Sequence, residues 1–367
     1  MLGSHTFRSD NNAGLCPEAL AALHEVAAGH AIGYGDDEST ETAIRALQRL
    51  FGADTAVYFV ATGTAANTLA IAALTEPWQR VICHAHAHWN DDESTAPERM
   101  TFCRTTAVEA MEEPTRLHPA DLERALIGGR GDVHQPAPGV LTLSNATEFG
   151  TLYTPEALAE LSGLAHRQGF AVHIDGARFA NAVAALVAAR GCDLAAACRA
   201  LSVEVGVDAL TFGGTKNGLA LGEAVLFFAA AKRPVVARAV RRFPFLRKST
   251  GHLLSKHRFV TAPFAACLRD DAWLRHAQHA NQMAARLAAG LVARGIKPVF
   301  AREANAVFVR FSEESERSEK IDSGLRARGH AYYPFASPVG VVNRLMCSFD
   351  TPTQAVDALL EDIDVVS

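Results

Sequence analysis

The sequence predicts an α/β fold built on a largely parallel sheet, with a second, smaller lobe. Three observations carry this. Short apolar runs of strand character alternate with alanine-rich runs at helical spacing, a Gly/Thr-rich turn joins one such strand directly to one such helix, and 367 residues exceed the roughly 250 to 300 that a single core organises. In such a sheet, binding groups gather beyond the C-terminal ends of the strands.

Taken in order, PEALAALHEVAAG (17 to 29) and ESTETAIRALQRLFG (38 to 52) carry apolar residues at helical spacing, and each ends in glycine, as a helix stop does. TAVYFVATGTAANTLAIAALT (55 to 75) reads as strand, turn and helix. Strands are expected at RVICH (80 to 84), GVLTLSN (139 to 145), FAVHID (170 to 175), DALTFGG (208 to 214) and EAVLFFA (223 to 229). Between them, PEALAELSGLAHRQG (155 to 169) and NAVAALVAARG (181 to 191) are helical. The basic stretch 232 to 259 has helical flavour and is expected as a solvated linker face. A long helix follows over 271 to 295, strand and helix signals mix from 298 to 311 onward, and 344 to 364 reads as strand, turn and helix. The expected boundary lies near residue 255, giving an N-terminal segment plus large domain over 1 to 255 and a small domain over 256 to 367.

Composition narrows the function by exclusion. With 49% hydrophobic and 20% charged residues and a formal net charge of -5, nothing pulls the chain toward nucleic acid or an anionic membrane. No apolar run approaches the roughly 20 residues of a membrane span, and the N-terminus lacks the basic start and apolar run of a secretory leader. The seven cysteines form no CxxC pair and read as reduced thiols. A cytoplasmic location is the expectation, and composition alone says nothing about chemistry.

Four segments can carry chemistry. FGGTKNGLALG (212 to 222) places Lys216 in a glycine-rich turn after a strand; an amine withdrawn from water there loses proton affinity and can form an imine, whereas an ordinary turn lysine is simply exposed. FAVHIDGARFANA (170 to 182) ends a strand in Asp175, which needs a cationic partner: a protonated pyridine nitrogen, or Arg178 in a plain ion pair. ATGTAANT (61 to 68) sets Gly63 and Thr64 at a helix start, where backbone N–H groups and the helix dipole favour a phosphate; without GxxxxGK[ST] or GxGxxG, a single small phosphate fits better than a nucleotide. In CHAHAHWNDDESTAPE (83 to 98), three histidines at spacing two lack any zinc-site pattern, so no metal is expected, and a histidine serving as a stacking surface or acid/base group is the better reading.

Together TGTAAN, AHWNDDESTAPE, TLYTPEALAELSGLAHRQGFAVHIDGAR and FGGTKNG, in this order, resemble the threonine aldolase and β-eliminating lyase family. The resemblance runs from FRSDNNAG (7 to 14) to RLMCSFDT (344 to 351). It implies an aspartate-aminotransferase-like architecture, pyridoxal phosphate fold type I, with a mostly parallel sheet of the seven-stranded type and a smaller C-terminal α+β domain. It also implies pyridoxal 5'-phosphate held as a Schiff base on Lys216, with Asp175 pairing the pyridine nitrogen. By the same resemblance Gly63, Thr64 and Asn67 cradle the phosphate, His88 stacks on the ring, and Ser9, Arg178 and Arg344 hold the substrate carboxylate. Assembly as a homodimer or homotetramer with active sites at subunit interfaces is implied too, Arg247, Lys248 or Lys256 reaching a neighbour's phosphate. Many relatives have an N-T-H-type strand ending where this chain reads LSNATEFG, leaving a second catalytic histidine in doubt; His134 reads as a loop residue.

The implied reaction is retro-aldol cleavage of an L-β-hydroxy-α-amino acid, such as L-threonine, L-allo-threonine or L-phenylserine, to glycine and an aldehyde. Lys216, Asp175 and His88 are its expected catalytic residues. β-Elimination to ammonia and a keto acid requires the same lysine and aspartate, and a non-catalytic cofactor-binding protein is the outlying alternative.

Overall fold

The computed structural model describes residues 6–127, 131–228 and 232–367. Two helices, α1 (Pro17–Val26) and α2 (Glu38–Phe51), precede β1 (Ala56–Val60) and α3 (Gly63–Leu74). The chain continues through β2 (Gln79–His84), α4 (His88–Asp91), α5 (Ala96–Thr101), β3 (Arg104–Val108), α6 (Pro119–Leu126), β4 (Ala137–Ser144) and α7 (Pro155–Arg167). Next come β5 (Ala171–Gly176), α8 (Phe179–Arg190), α9 (Leu194–Ala200), β6 (Ala209–Gly213) and β7 (Glu223–Phe227). Beyond the sheet lie α10 (Pro234–Ser249), α11 (Arg258–Leu268) and α12 (Ala272–Ala293), then β8 (Ala306–Val309), α13 (Ser315–Ala327), β9 (Tyr333–Phe335), β10 (Val342–Met346) and α14 (Thr353–Val366).

Seven strands form one sheet in the order β1-β7-β6-β5-β4-β2-β3, and β8-β10-β9 form a second, antiparallel sheet. Alternation of period two decides what each face of the large sheet buries. Leu141, Leu143, Val172, Ile174, Leu210 and Phe212 lie on one side, while Val140, Ala171, Ala209, Val225 and Phe227 lie on the other. One polar residue interrupts this core. His173 is bonded between Thr142 Oγ1 (2.9 Å) and Thr211 Oγ1 (3.1 Å), and burial pushes its pKa down to about 4, so it is a neutral structural link between three strands.

The structure corrects one expectation from the sequence and adds two features that the sequence reading did not carry. The strand expected at 223 to 229 is β7, but it runs antiparallel to both neighbours, β1 and β6. Two antiparallel steps cancel, so β1 points the same way as β6, and both end on the edge where β4 and β5 end. The stretch 232 to 259 is not a linker face: α10 packs on α3 and buries Val236, Ala239 and Phe243 at helical spacing. And β3 went unrecognised because an exposed edge strand of sequence RTTAV carries a polar pattern. The core contacts also bear on the domain division. Val260, Phe264 and Trp273 pack in the large core, and Leu287 and Leu291 in the small one. Among the described residues, no single helix is long and apolar enough to cross a membrane.

Candidate active site

The C-terminal edge of the large sheet opens into a cavity of about 310 Å³. Three chain segments reach it because their strands end side by side: β1 leads into α3, β5 ends in Asp175, and β6 leads into a 3-10 turn, Thr215–Asn217, that carries Lys216. Two glycines let that turn form. A Cβ at Gly213 would lie 2.3 Å from the Ala177 carbonyl oxygen, and one at Gly214 would lie 2.6 Å from that of Gly222. At both positions neighbouring backbone fills the space that a side chain would need.

Lys216, Asp175, Asn67, His88, Gly63 and Thr64 all line this cavity, so the structure brings six of the nine expected site residues together. Burial, followed by the nearby Arg178 charge, pushes the Lys216 amine below its usual range, although Asp10, Asp175 and Glu223 pull the other way. Asp175 is buried, which works against its charged form. The charges of His88 and Lys216 and the Ala177 N–H, 3.0 Å from Oδ1, prevail and hold its pKa below the ordinary carboxylate value. Asn67 donates from Nδ2 to Asp175 Oδ2 at 2.8 Å.

Behind these residues stands Glu93, which the sequence offers only as one acid in the crowded run 83 to 98 weighed as a metal site. Glu93 Oε1 lies 3.0 Å from His88 Nδ1 and accepts from Asn67 Nδ2 at 2.8 Å, tying ring and amide together. Burial opposes a charge on His88, but the Glu93 hydrogen bond and the Asp175 charge outweigh it and raise its pKa. The His88 backbone N–H donates to Glu148 Oε1 at 2.9 Å, and Glu148 also accepts from Ser144 Oγ at 2.6 Å. Glu148 lies in the LSNATEFG segment where the sequence lacks a histidine, and His134 is exposed on a loop. Glu223, buried on β7, accepts from Gly214 N–H at 2.7 Å, and burial raises its pKa to about 7. The only sequence signal for these three acids was an acidic residue inside an otherwise apolar or histidine-rich run. Donor atoms of His88, Glu93 and Asp175 lie within 4.8 Å of one another, spacing that a metal site would also show.

The expected carboxylate-binding residues gather beside the cavity rather than in its wall. Arg178 does not pair with Asp175; its Nε and Nη2 donate to the two oxygens of buried Asp10 at 2.7 and 2.9 Å. Arg344 donates from Nη2 to the Arg8 carbonyl at 3.3 Å, its Nε is buried without a hydrogen-bond partner, and burial beside Arg178 lowers its pKa to about 10. Ser9 Oγ accepts from Asn11 N–H at 3.2 Å, which leaves its own proton to donate. Of the expected phosphate-reaching cations, Arg247 packs on Tyr58 and donates to the Phe59 carbonyl, Lys248 stands over Tyr34, and Lys256 is exposed.

This arrangement fits pyridoxal 5'-phosphate. Thr62 caps α3 through Ala65 N–H, so the first-turn N–H groups of Gly63 and Thr64 remain available to a phosphate at the cavity, and a Cβ at Gly63 would meet nothing within 4 Å. The low-pKa carboxylate of Asp175 suits a pyridinium N–H, and Lys216 suits an aldehyde carbon.

Fold and site together define a fold-type I pyridoxal phosphate enzyme architecture, which solved structures share. The chain superposes on a threonine aldolase from Leishmania major with a TM-score of 0.85 at 26% identity, over 99% of this chain and 100% of that one. It also shares its fold with a tryptophan decarboxylase from Catharanthus roseus, at a TM-score of 0.76 and 14% identity, covering 98% and 82% of the two chains. Residues 6–314 match the model of the beta-eliminating lyase family, and the chain belongs to that family. Among curated relatives, a low specificity L-threonine aldolase from Pseudomonas aeruginosa is 44% identical over 98% of this chain and 97% of its own length.

Proposed function

We propose that this chain holds pyridoxal 5'-phosphate on Lys216 and cleaves L-β-hydroxy-α-amino acids of the threonine type to glycine and an aldehyde. The observation that carries this reading is that Lys216, Asp175 and the α3 N-terminus line one cavity. The 44% identity to a named L-threonine aldolase points to the same reaction. When bound, the cofactor supplies an electron-withdrawing ring that stabilises the negative charge left on Cα.

Everything else falls to the protein. Lys216 offers its amine for covalent attachment, burial and the Arg178 charge having weakened its hold on the proton. Asp175, held ionised and oriented by Asn67, keeps a proton on the pyridine nitrogen. The α3 N-terminus at Gly63 and Thr64 would bind the phosphate, and His88, in the same cavity, would face the cofactor ring. Arg344 grips the substrate carboxylate with Ser9, since its Nε lacks a partner while the Arg178 charge is already balanced by Asp10. That grip would hold the substrate in one orientation in the cavity. The remaining ring nitrogen of His88, directly or through a water, accepts the β-hydroxyl proton.

We read the protein as a cytoplasmic homodimer or homotetramer with sites at the interface. The cavity rim supports this, since Leu221 lines the cavity yet is 42% exposed in the single chain. Incubation with L-threonine, L-allo-threonine and L-phenylserine, scoring glycine and aldehyde against ammonia and keto acid, tests the reaction. Glycine and aldehyde, abolished by Lys216→Ala, are the expected outcome; ammonia and keto acid would make the chain an eliminating lyase.

A further inference from the structure

Behind the Lys216 turn, on the side away from the cavity, four side chains of metal-binding type meet. Cys16 caps the N-terminus of α1, Glu18 sits in the first turn of that helix, Cys267 comes from α11 and His276 from α12. The two sulfurs are 3.4 Å apart. Donor atoms of Cys16, Glu18 and His276 all lie within 4.8 Å of one another, and Glu18 Oε2 is 3.3 Å from His276 Nε2. Both thiols are buried, at 0% and 4% exposure, so no bulk water competes strongly for a ligand there.

Two further observations point to a cation. His276 Nδ1 is buried without a hydrogen-bond partner, although burying a polar atom unpaired is costly, and Glu18 Oε2 meets only the His276 ring. Cys16 occupies the N-cap position of α1, so its sulfur lies at the positive end of that helix. Arg275 reaches Glu18 through the other oxygen, at 3.8 Å from Oε1, and leaves Oε2 on the histidine side. Two sulfurs, an imidazole and a carboxylate form a donor set for a soft or borderline cation in tetrahedral geometry, and exclude magnesium or calcium, which require oxygen.

We propose that Cys16, Glu18 and His276, with Cys267 beside them, bind a divalent cation of the zinc class, and that its binding lowers turnover by shifting the turn that carries Lys216. The second half rests on the function proposed above. The mechanical link is short. Cys16 N–H donates to the Gly218 carbonyl at 2.8 Å, and Gly218, at φ +100, closes the Lys216 turn so tightly against Cys16 that a Cβ there would lie 2.9 Å from the Cys16 Cβ. Drawing Cys16 toward a metal therefore pulls on the residue two positions from Lys216.

The test uses the reduced, intact protein and zinc in competition with a chromogenic chelator. Cobalt serves as a spectroscopic substitute, because thiolate ligation gives a charge-transfer band that oxygen ligation lacks. The expected result is that zinc binding protects two thiols from a thiol reagent, and that Cys16→Ser and His276→Gln each weaken binding about tenfold or more. Thermal unfolding of each variant confirms that it is folded. Binding by wild type no tighter than by Cys16→Ser, or cobalt without a thiolate band, overturns the site. Tight binding with turnover unchanged overturns the link to Lys216. Inhibition that chelator reverses, and that Cys16→Ser no longer shows, supports both halves. Should every preparation lack aldolase activity, the proposed function fails while the binding measurement still decides the site.

Discussion

One oxygen of Glu93 meets both His88 and Asn67, so a single buried carboxylate orients the ring and, through the amide, Asp175. Glu93 also raises the His88 pKa against the opposing effect of burial. A protonated ring cannot accept a proton, so turnover should fall as pH falls through that pKa. Glu93→Gln removes the charge that raises it, and the acid limb of the kcat profile should then move to lower pH. Looser placement of the ring should cut the plateau by up to about a hundredfold. An acid limb left in place would show that His88 is not the proton acceptor. Glu148 and Glu223 are likewise buried acids with raised pKa values, but each is anchored to backbone N–H, at His88 and Gly214, and supports the site's shape.

Among the elements, the contact between the ends of β5 and β6 is the tightest constraint on the site. Gly213 has no room for a methyl group because the Ala177 carbonyl oxygen would lie 2.3 Å from it, and the obstacle is backbone rather than a movable side chain. Gly213→Ala should force the strand ends apart, costing about 1 to 3 kcal/mol as overpacking does and displacing Lys216 from Asp175. Gly163, inside α7, makes the control. A Cβ there meets only the end of the Arg167 side chain at 3.4 Å, so Gly163→Ala should stabilise by about 0.5 to 1 kcal/mol through helix propensity. Denaturant unfolding of the two variants checks both signs. Equal effects would mean that the close approach is not rigid. The helices themselves were largely legible from their apolar spacing and glycine stops, and the structure adds their N-caps, such as Asp37 on Thr40 N–H for α2 and Thr62 on Ala65 N–H for α3.

Across the whole molecule, the segment over residues 7 to 16 straps the two lobes together. Phe7 bonds to Ala331 and Met346 of the small lobe, and Cys16 bonds to Gly218 of the large one. Between them, Asp10 pairs with Arg178 and accepts from Asn305 at 3.2 Å. Asp10→Asn leaves the buried Arg178 charge uncompensated and should cost about 3 to 5 kcal/mol, read as a lower denaturant midpoint. An unchanged midpoint would mean that other contacts hold the lobes. By itself, the sequence determined the alternating α/β order, the phosphate-type turn before α3, and the lysine and aspartate that meet in one cavity. These depend on periodicity and local turn chemistry, which neighbouring residues set. Only the tertiary structure decided that β7 runs antiparallel, that Arg178 answers Asp10 rather than Asp175, and that Glu93, Glu148 and Glu223 support the site. The partners concerned come from different strands and loops, 168 positions apart for Arg178 and Asp10, and which buried charge faces which is settled by packing alone.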